Sequence, residues 1–479
     1  MRRGSARIDR RRANPRGRLV LPVLVALALG LAAVGCGADA AEVKSEAAPT
    51  AGSSEPGPDP LGMTLRAAAD GSALLFDDGE ALHVLDPATA SERFVAVGAV
   101  ASGDGSSVVS AAPSGAQTEV VVRSALDGSL RWTTTVAGPL EVVGASREGE
   151  TVVLVDPSAP GGTTSFVVVR FAFASDPVLG DVRTMLPPTI TAAPTPSSQR
   201  YDLPGELEYD GIGDATSTVF VLQRSATDPD AYKVRALDLW EGGVSDMSDR
   251  EKFTPEGEMY GRYRSALVVP ERGEVATLYT IDGGGGDGAA FVHLLNTRGA
   301  YADCLDLPAP LGRGVPSTLA VGAIPPGDPL LVFDSEVGIV ASFDPDVLGS
   351  VSTFATTEPA LAAGHPAAVA ADLGHVYLAG GDEVVAHDLL GTVTGTWSAG
   401  GQVTALAVVP GSGRIAAIVD GAVRLFEPDG RPVRDGLRPT STPPPIPPPP
   451  FVDAVPSSAP TSSEPIAPMP GSTPGTPVR

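Results

Sequence analysis

Three stretches of the chain repeat one pattern: "LRAAADGSALLFDDGEALHVLDPATASERFVAV" (65–97), "PAAVAADLGHVYLAGGDEVVAHDLLGTVTGTW" (366–397) and "VTALAVVPGSGRIAAIVDGAVRLFEPDGRPV" (403–433). In each, an apolar run meets a small or acidic turn, and a second apolar run follows. A further turn leads to a third run, which ends at Asp86, Asp388 or Glu427. A fourth, more polar run completes the unit. Short Val-, Ala- and Leu-rich runs bounded by Gly, Asp, Pro and Ser predict strands. Comparable units begin near Gly98, Gly138, Tyr201, Gly261 and Gly314, and the last quoted unit opens near Gly401. The chain thus holds eight units of about 47 residues, close to the length of a four-stranded repeat.

A single such sheet is apolar on both faces and cannot bury itself. Stacking the sheets radially buries both faces and leaves only short edges. The fold class expected is therefore all-β, a single β-propeller over residues 63–437 with eight four-stranded blades, seven being the alternative count. No long segment has helical periodicity. The stretch "SDMSDREKFTPEGEMY" (245–260) reads as a loop with one short helix.

The two ends differ in texture from this middle. The first eighteen residues carry eight arginines against one acid, Asp9, and "LVLPVLVALALGL" (19–31) follows without a charge. That apolar run is shorter than the roughly 20 residues a spanning helix needs. A basic segment, a short apolar segment and small residues together make an export signal. The Arg11-Arg12 pair lacks the apolar residues that a twin-arginine signal places next, which leaves the general secretory route. Ala33-Val34-Gly35-Cys36 resembles the bacterial lipobox, although Ala33 stands where leucine is usual. That resemblance implies a signal peptide at 1–35 and a Cys36 that carries a diacylglycerol thioether and fatty acyl chains such as palmitate. The alternative is ordinary cleavage after Ala38-Asp39-Ala40 and secretion. Residues 36–62 are rich in Ala, Glu, Ser, Gly and Pro and read as a flexible linker. Residues 438–479 contain "PTSTPPPIPPPPF", which reads as an extended, disordered Pro-rich tail.

Charge narrows the partners. The chain has 33 basic and 57 acidic residues. Without residues 1–35, which hold eight arginines and one aspartate, the net charge is −31. Such a surface repels phosphate backbones, so nucleic acid is not an expected partner. Cys36 and Cys304 are the only cysteines. With Cys36 acylated, no disulfide is available and the domain must rest on its core.

"ALDGSLRW" (125–132) and "AHDLLGTVTGTW" (386–397) resemble the A-L-D-x-x-x-G-x-x-x-W repeat of quinoprotein-type propellers. Asp127, Gly128 and Trp132 match one copy, and Asp388, Gly391 and Trp397 a looser one. "ALDLW" (236–240) matches only at its start. In that family the tryptophan docks between blades and the Asp-Gly stretch turns the third strand into the fourth, so the resemblance implies blade-packing roles. Gly364-His365 is similar to the start of a WD-repeat, but no Trp-Asp follows.

Motifs for chemistry are sparse. The five histidines, His83, His293, His365, His375 and His387, lack zinc-ligand spacing and are expected on solvated strand or turn faces. Cys304, in the fourth strand of its unit, is expected as a packed small hydrophobe. There is no G-x-S-x-G elbow and no P-loop. Gly283, Gly285 and Gly288 in "DGGGGDGAA" fit G-x-G-x-x-G, but a strand follows instead of the helix a dinucleotide site requires; the stretch reads as a mobile hairpin loop. "DPDVLG" (344–349) fails as a calcium loop, with Leu348 and Ala355 at ligand positions. No catalytic residue, metal or cofactor is assigned.

These readings suggest a lipid-anchored, monomeric module of the cell membrane or outer envelope, binding a protein or envelope partner without catalysis. Quinoprotein-like lipoproteins of outer-membrane assembly are its nearest resemblance. The alternatives are a quinone-dependent dehydrogenase, a calcium-dependent lactonase or a small-ligand sensor. Asn14 and Asn296 are the only asparagines, which counts against a lactonase-type site. A fold alone licenses none of these functions.

Overall fold

The computed structural model describes residues 63–171, 196–213, 217–225, 231–246, 259–281, 290–312, 318–325, 327, 329–344, 351–355, 361 and 365–437. The expected signal segment, Cys36, the linker and the Pro-rich tail lie outside the described residues. So do the 282–288 loop, positions 345–349, Gly364 and the middle of the 245–260 stretch. No helix among the described residues is long and apolar enough to cross a membrane.

Eight antiparallel sheets follow one another along the chain, each a meander of four consecutive strands. The blades span 64–97, 99–137, 141–204, 207–246, 262–306, 319–355, 367–398 and 403–437. Blade 4 carries an additional short strand, Met259–Tyr260, paired with its third strand. The repeat expected from the sequence is thus present, with eight blades. Its boundaries fall within a few residues of those read from the sequence, with one larger difference: Tyr201 lies on the last strand of blade 3, Pro196–Pro204, and does not open blade 4. Blade 3 is longer than its fellows because 172–195 intervenes between its third and fourth strands.

Burial explains why the runs look as they do. Second strands such as Leu330–Asp334 and Ile415–Val419 are buried at every position, since a neighbouring blade covers each face. The outermost strand of blade 7, Val393–Ser398, alternates half-buried and exposed instead. In blades 1, 4 and 7 the third strand runs into an acid that caps the next turn. The Asp86 carboxylate accepts the N–H groups of Ala88 and Thr89 at 2.9 and 3.0 Å. Asp238 does the same for Trp240 and Glu241, and Asp388 for Leu390 and Thr392. A carboxylate that satisfies two backbone donors replaces the ladder where it stops.

Eight separate apolar cores occupy the eight seams between adjacent blades. One joins the last blade to the first: Leu65, Leu74 and Phe76 of blade 1 pack on Ala407, Ile418 and Leu425 of blade 8. Arg414 Nη1 reinforces it by donating to the Ala88 carbonyl at 2.9 Å. No strand is shared between these blades, so side-chain packing closes the ring. The turns between first and second strands gather at one end of the ring. There Ala69 N–H donates to Asp104 O, and Asp104 N–H to Arg147 O, at 2.8 and 2.9 Å.

Candidate functional site

The first strands of all eight blades line an axial channel of about 1370 Å³. Its wall is made of small apolar side chains such as Ala101, Ala145, Ala266, Val321, Ala368 and Ala405. Small residues are required because eight backbones converge on the axis. At Gly144 a Cβ would overlap the ring of Tyr209 from the next blade. Charged groups collect towards the turn end, among them Asp104, Arg147, Glu271, Arg298 and Asp372. Others are engaged in structure. Arg66 donates to the Ser102 carbonyl at 2.8 Å, tying blade 1 to blade 2; burial lowers its pKa, while Asp104 and Asp77 oppose that. Glu274 accepts two bonds from Arg272, at 2.8 and 3.2 Å, and one from Asn296 at 3.2 Å. Among the described residues no group of three or more His, Cys, Asp or Glu side chains is placed to hold a metal ion.

A second site lies in the seam between blades 4 and 5. The apolar core here is the smallest of the eight among the described residues: Leu222, Val234, Met259, Tyr279, Phe291 and Cys304. A cavity of about 370 Å³ adjoins it, lined by Asp210, Tyr232, Thr277 and Tyr279 among others. His293 sits on the third strand of blade 5, Ala290–Asn296, directly opposite Cys304 on the fourth, Tyr301–Asp306. Its side chain is fully buried. Nδ1 lies 3.7 Å from Cys304 Sγ, and Sγ lies 3.6 Å from the Met259 sulfur. On the other side Nε2 stands 3.6 Å from Asp210 Oδ2, an ion-pair separation that is too long for a good hydrogen bond. Asp210 is the extra residue of a β-bulge between Tyr209 and Gly211, and bulges re-aim side chains in this way. Burial disfavours charge on the imidazole, but Asp210 and the thiol outweigh it and raise its pKa to about 10.

Three of the five histidines depart from the sequence expectation of solvated faces. His83, His293 and His387 are buried on third strands, because blade faces that look like outer surfaces in sequence are covered by a neighbour. His83 is held between Glu92 and Asp78 at 2.9 and 3.1 Å, and His387 bonds the Gly391 carbonyl at 3.1 Å. His365 is exposed and His375 half-buried. Cys304 is buried, as expected, though against polar as well as apolar neighbours.

The quinoprotein-like residues take distinct places. Trp132 is buried between blades 2 and 3, its ring 5.6 Å from that of Phe171 and 5° from parallel. Trp397 packs at the seam of blades 7 and 8, edge-on to Tyr377 at 6.2 Å. Asp127 caps its turn by accepting Ser129 N–H at 3.0 Å, and Gly128 follows at φ +72°. Gly128 faces the Phe94 ring of blade 1, so one repeat serves two seams: its glycine meets the preceding blade and its tryptophan the following one. Gly430 meets Trp397 in the same way, at φ +83°. Gly391 closes the turn that Asp388 caps, at φ +86°. Trp240, in the partial copy, is 72% exposed, with the Arg170 guanidinium 5.4 Å from its ring.

Asp210 and Met259 are the residues that sequence reasoning missed. The hairpin register that places His293 opposite Cys304 was readable in the strand–turn–strand pattern of 290–308. The approach of Asp210 and Met259 depends on which blades touch, and no motif or spacing signals it.

Neither a protein-family model nor a curated protein sequence matches the chain. Among solved structures it is similar to hydrazine synthase from Kuenenia stuttgartiensis, at 12% identity over 76% of this chain and 94% of that one, with a TM-score of 0.40. It is similar to BamB from Moraxella catarrhalis at 13% identity, over 78% and 92% of the two chains, with a TM-score of 0.38. The periplasmic gluconolactonase PpgL from Pseudomonas aeruginosa gives 13% identity, 69% and 94% coverage and a TM-score of 0.36. Likenesses this distant carry no argument about what the chain does.

Proposed function

We propose that the chain is an extracytoplasmic lipoprotein, anchored through Cys36, whose propeller binds a protein partner without catalysing a reaction. The anchor rests on the basic, apolar and small-residue sequence that ends at Gly35-Cys36. The observation that carries the binding reading is a set of apolar turn tips. Leu126, Trp240, Leu373 and Leu390 are 56%, 72%, 76% and 87% exposed, and all four lie in turns at one end of the ring. Turn tips are ordinarily polar, and apolar side chains held out by capped turns supply anchors that a partner buries. A channel wall of small apolar side chains, with charges near one mouth, supports binding over the convergent carboxylates of a lactonase or quinone site.

The experiment places a photo-cross-linking amino acid at Leu390, at Leu373 and, as a control at the opposite end, at Val97, which is 58% exposed. Irradiated bacterial cells should give one discrete adduct from the first two positions and none from the third. Equal labelling at both ends, or no adduct from Leu390 and Leu373, overturns the partner surface. The Cys36→Ser variant should lose palmitate labelling and leave the detergent phase, and unchanged partitioning would refute the anchor. Turnover of alcohols, sugars or lactones with added calcium or pyrroloquinoline quinone would favour the enzyme reading instead.

A further inference from the structure

We propose that Met259, His293 and Cys304 form a binding site for a soft metal ion of the monovalent copper class, in the seam between blades 4 and 5. The three side chains offer a thioether, an imidazole nitrogen and a thiol. Soft thiolate and thioether ligands favour Cu(I) over hard cations, and the thioether is outside the Cys, His and carboxylate set that zinc sites use. The two separations made by Cys304 fit a shared ion. Ligand atoms about 2.0–2.3 Å from a metal, at angles near tetrahedral or trigonal, stand roughly 3.4–3.9 Å apart. The Cys304 sulfur is 3.6 Å from the Met259 sulfur and 3.7 Å from His293 Nδ1.

The surroundings complete the arrangement. Metal-bound histidines ordinarily direct the other ring nitrogen at a carboxylate, which fixes the tautomer and orients the ring. His293 Nε2 is directed at Asp210 Oδ2, 3.6 Å away, and neither atom has a hydrogen-bond partner. The bulge at Asp210 aims that carboxylate out of its own sheet into the seam. The 370 Å³ cavity and the axial channel both touch Asp210, beside the three side chains.

Apolar packing alone does not account for these residues. A cysteine and a methionine in contact suit an ordinary core, but a fully buried histidine facing a buried aspartate carries a desolvation cost that packing does not offset. A metal ion gives each of these polar groups a role. On binding, the ion takes the place of the Cys304 thiol proton and of any proton on His293 Nδ1, both of which leave to solvent, while the Nε2 proton stays towards Asp210. No change of oxidation state is involved.

The test uses the full chain carrying Cys36→Ser, which leaves Cys304 as the only cysteine. Cu(I) is supplied anaerobically as its acetonitrile complex against a chromophoric chelator. One equivalent should bind, with ultraviolet thiolate-to-copper absorption and sulfur and nitrogen neighbours in X-ray absorption. Met259→Leu conserves volume and should leave the thermal unfolding midpoint nearly unchanged, while affinity falls by about tenfold or more. Cys304→Ser should abolish the absorption band, and Asp210→Asn should weaken binding by about 10–100-fold. No Cu(I) held against the chelator, Met259→Leu binding as tightly as its parent, or a preference for Zn(II) over Cu(I) would each overturn the proposal.

Discussion

The three tryptophans make the seam packing measurable, and Trp132→Ala is the most informative change. Its ring is 7% exposed and lies in the core shared by blades 2 and 3. Truncating a buried tryptophan to alanine costs about 3–5 kcal/mol through lost transfer energy and the cavity left behind. Trp132 stands on the outermost strand of its blade, Leu130–Ala137, where the rim can relax. The expected value is therefore at the lower end, about 3 kcal/mol. Part of that is the near-parallel stack on Phe171. A double-mutant cycle with Phe171→Ala should return a coupling of about 0.5–1.5 kcal/mol. Trp240→Ala is the control: its ring is 72% exposed and touches the Arg170 guanidinium, so the loss should stay under about 1 kcal/mol. The assay is urea unfolding followed by far-ultraviolet circular dichroism, which does not depend on the removed fluorophore, with the slope unchanged between variants. A loss at Trp132 no larger than that at Trp240 would refute the assignment of Trp132 to seam packing.

Three further outcomes follow from the same geometry. Gly144→Ala should destabilise by about 1–3 kcal/mol, because the new methyl displaces the Tyr209 ring at the channel wall; adding Tyr209→Ala should recover part of the loss, read by the same urea midpoint. Ile418→Ala in the seam between blades 8 and 1 should cost about 2–5 kcal/mol, as much as Leu278→Ala in an internal seam, since both side chains are fully buried; a much smaller loss at Ile418 would mean the ring is not closed by packing. Hydrogen bonds from Ser158 and Arg200, the latter at 2.5 Å, hold the Asp156 carboxyl below the usual carboxylate range. The unfolded chain then binds more protons than the folded one, so this contribution is present above about pH 4 and is lost as pH falls through the folded value. The stability gap between the parent and Asp156→Asn should accordingly close on acidification, and a gap that persists at low pH would count against the pairing.

Much of the fold was legible because propeller strands are written locally. The runs at 65–97 and 403–433 show their four strands and their turns without help from the rest of the chain. The acids at Asp86 and Asp388 mark the ends of third strands because a capping carboxylate acts within a few residues of itself; Glu427 stands at the same place but pairs with Arg414. Counting such units gave eight blades. The Asp-Gly turn and tryptophan of 125–132 were likewise readable, although their division between two seams was not. Tyr201 opens no blade because it lies in a mostly polar, exposed run, Pro196–Pro204, that carries little local signal, and only pairing with Thr163–Phe171 assigns it to blade 3.

What the sequence by itself determined is therefore the repeat: strand, turn and cap, each set by side chains a few positions apart. Which face of a strand is buried, and against what, was decided by the ring. His293 and His387 sit in apolar runs whose two faces are equally apolar, so periodicity cannot tell a covered face from a solvated one. Asp210, Met259, His293 and Cys304 come from two different blades, and they meet because radial stacking presses blade 4 against blade 5. A contact of that kind has no local spacing to mark it: its partners are brought together by the burial of whole sheets, a property of the closed ring that no one blade holds.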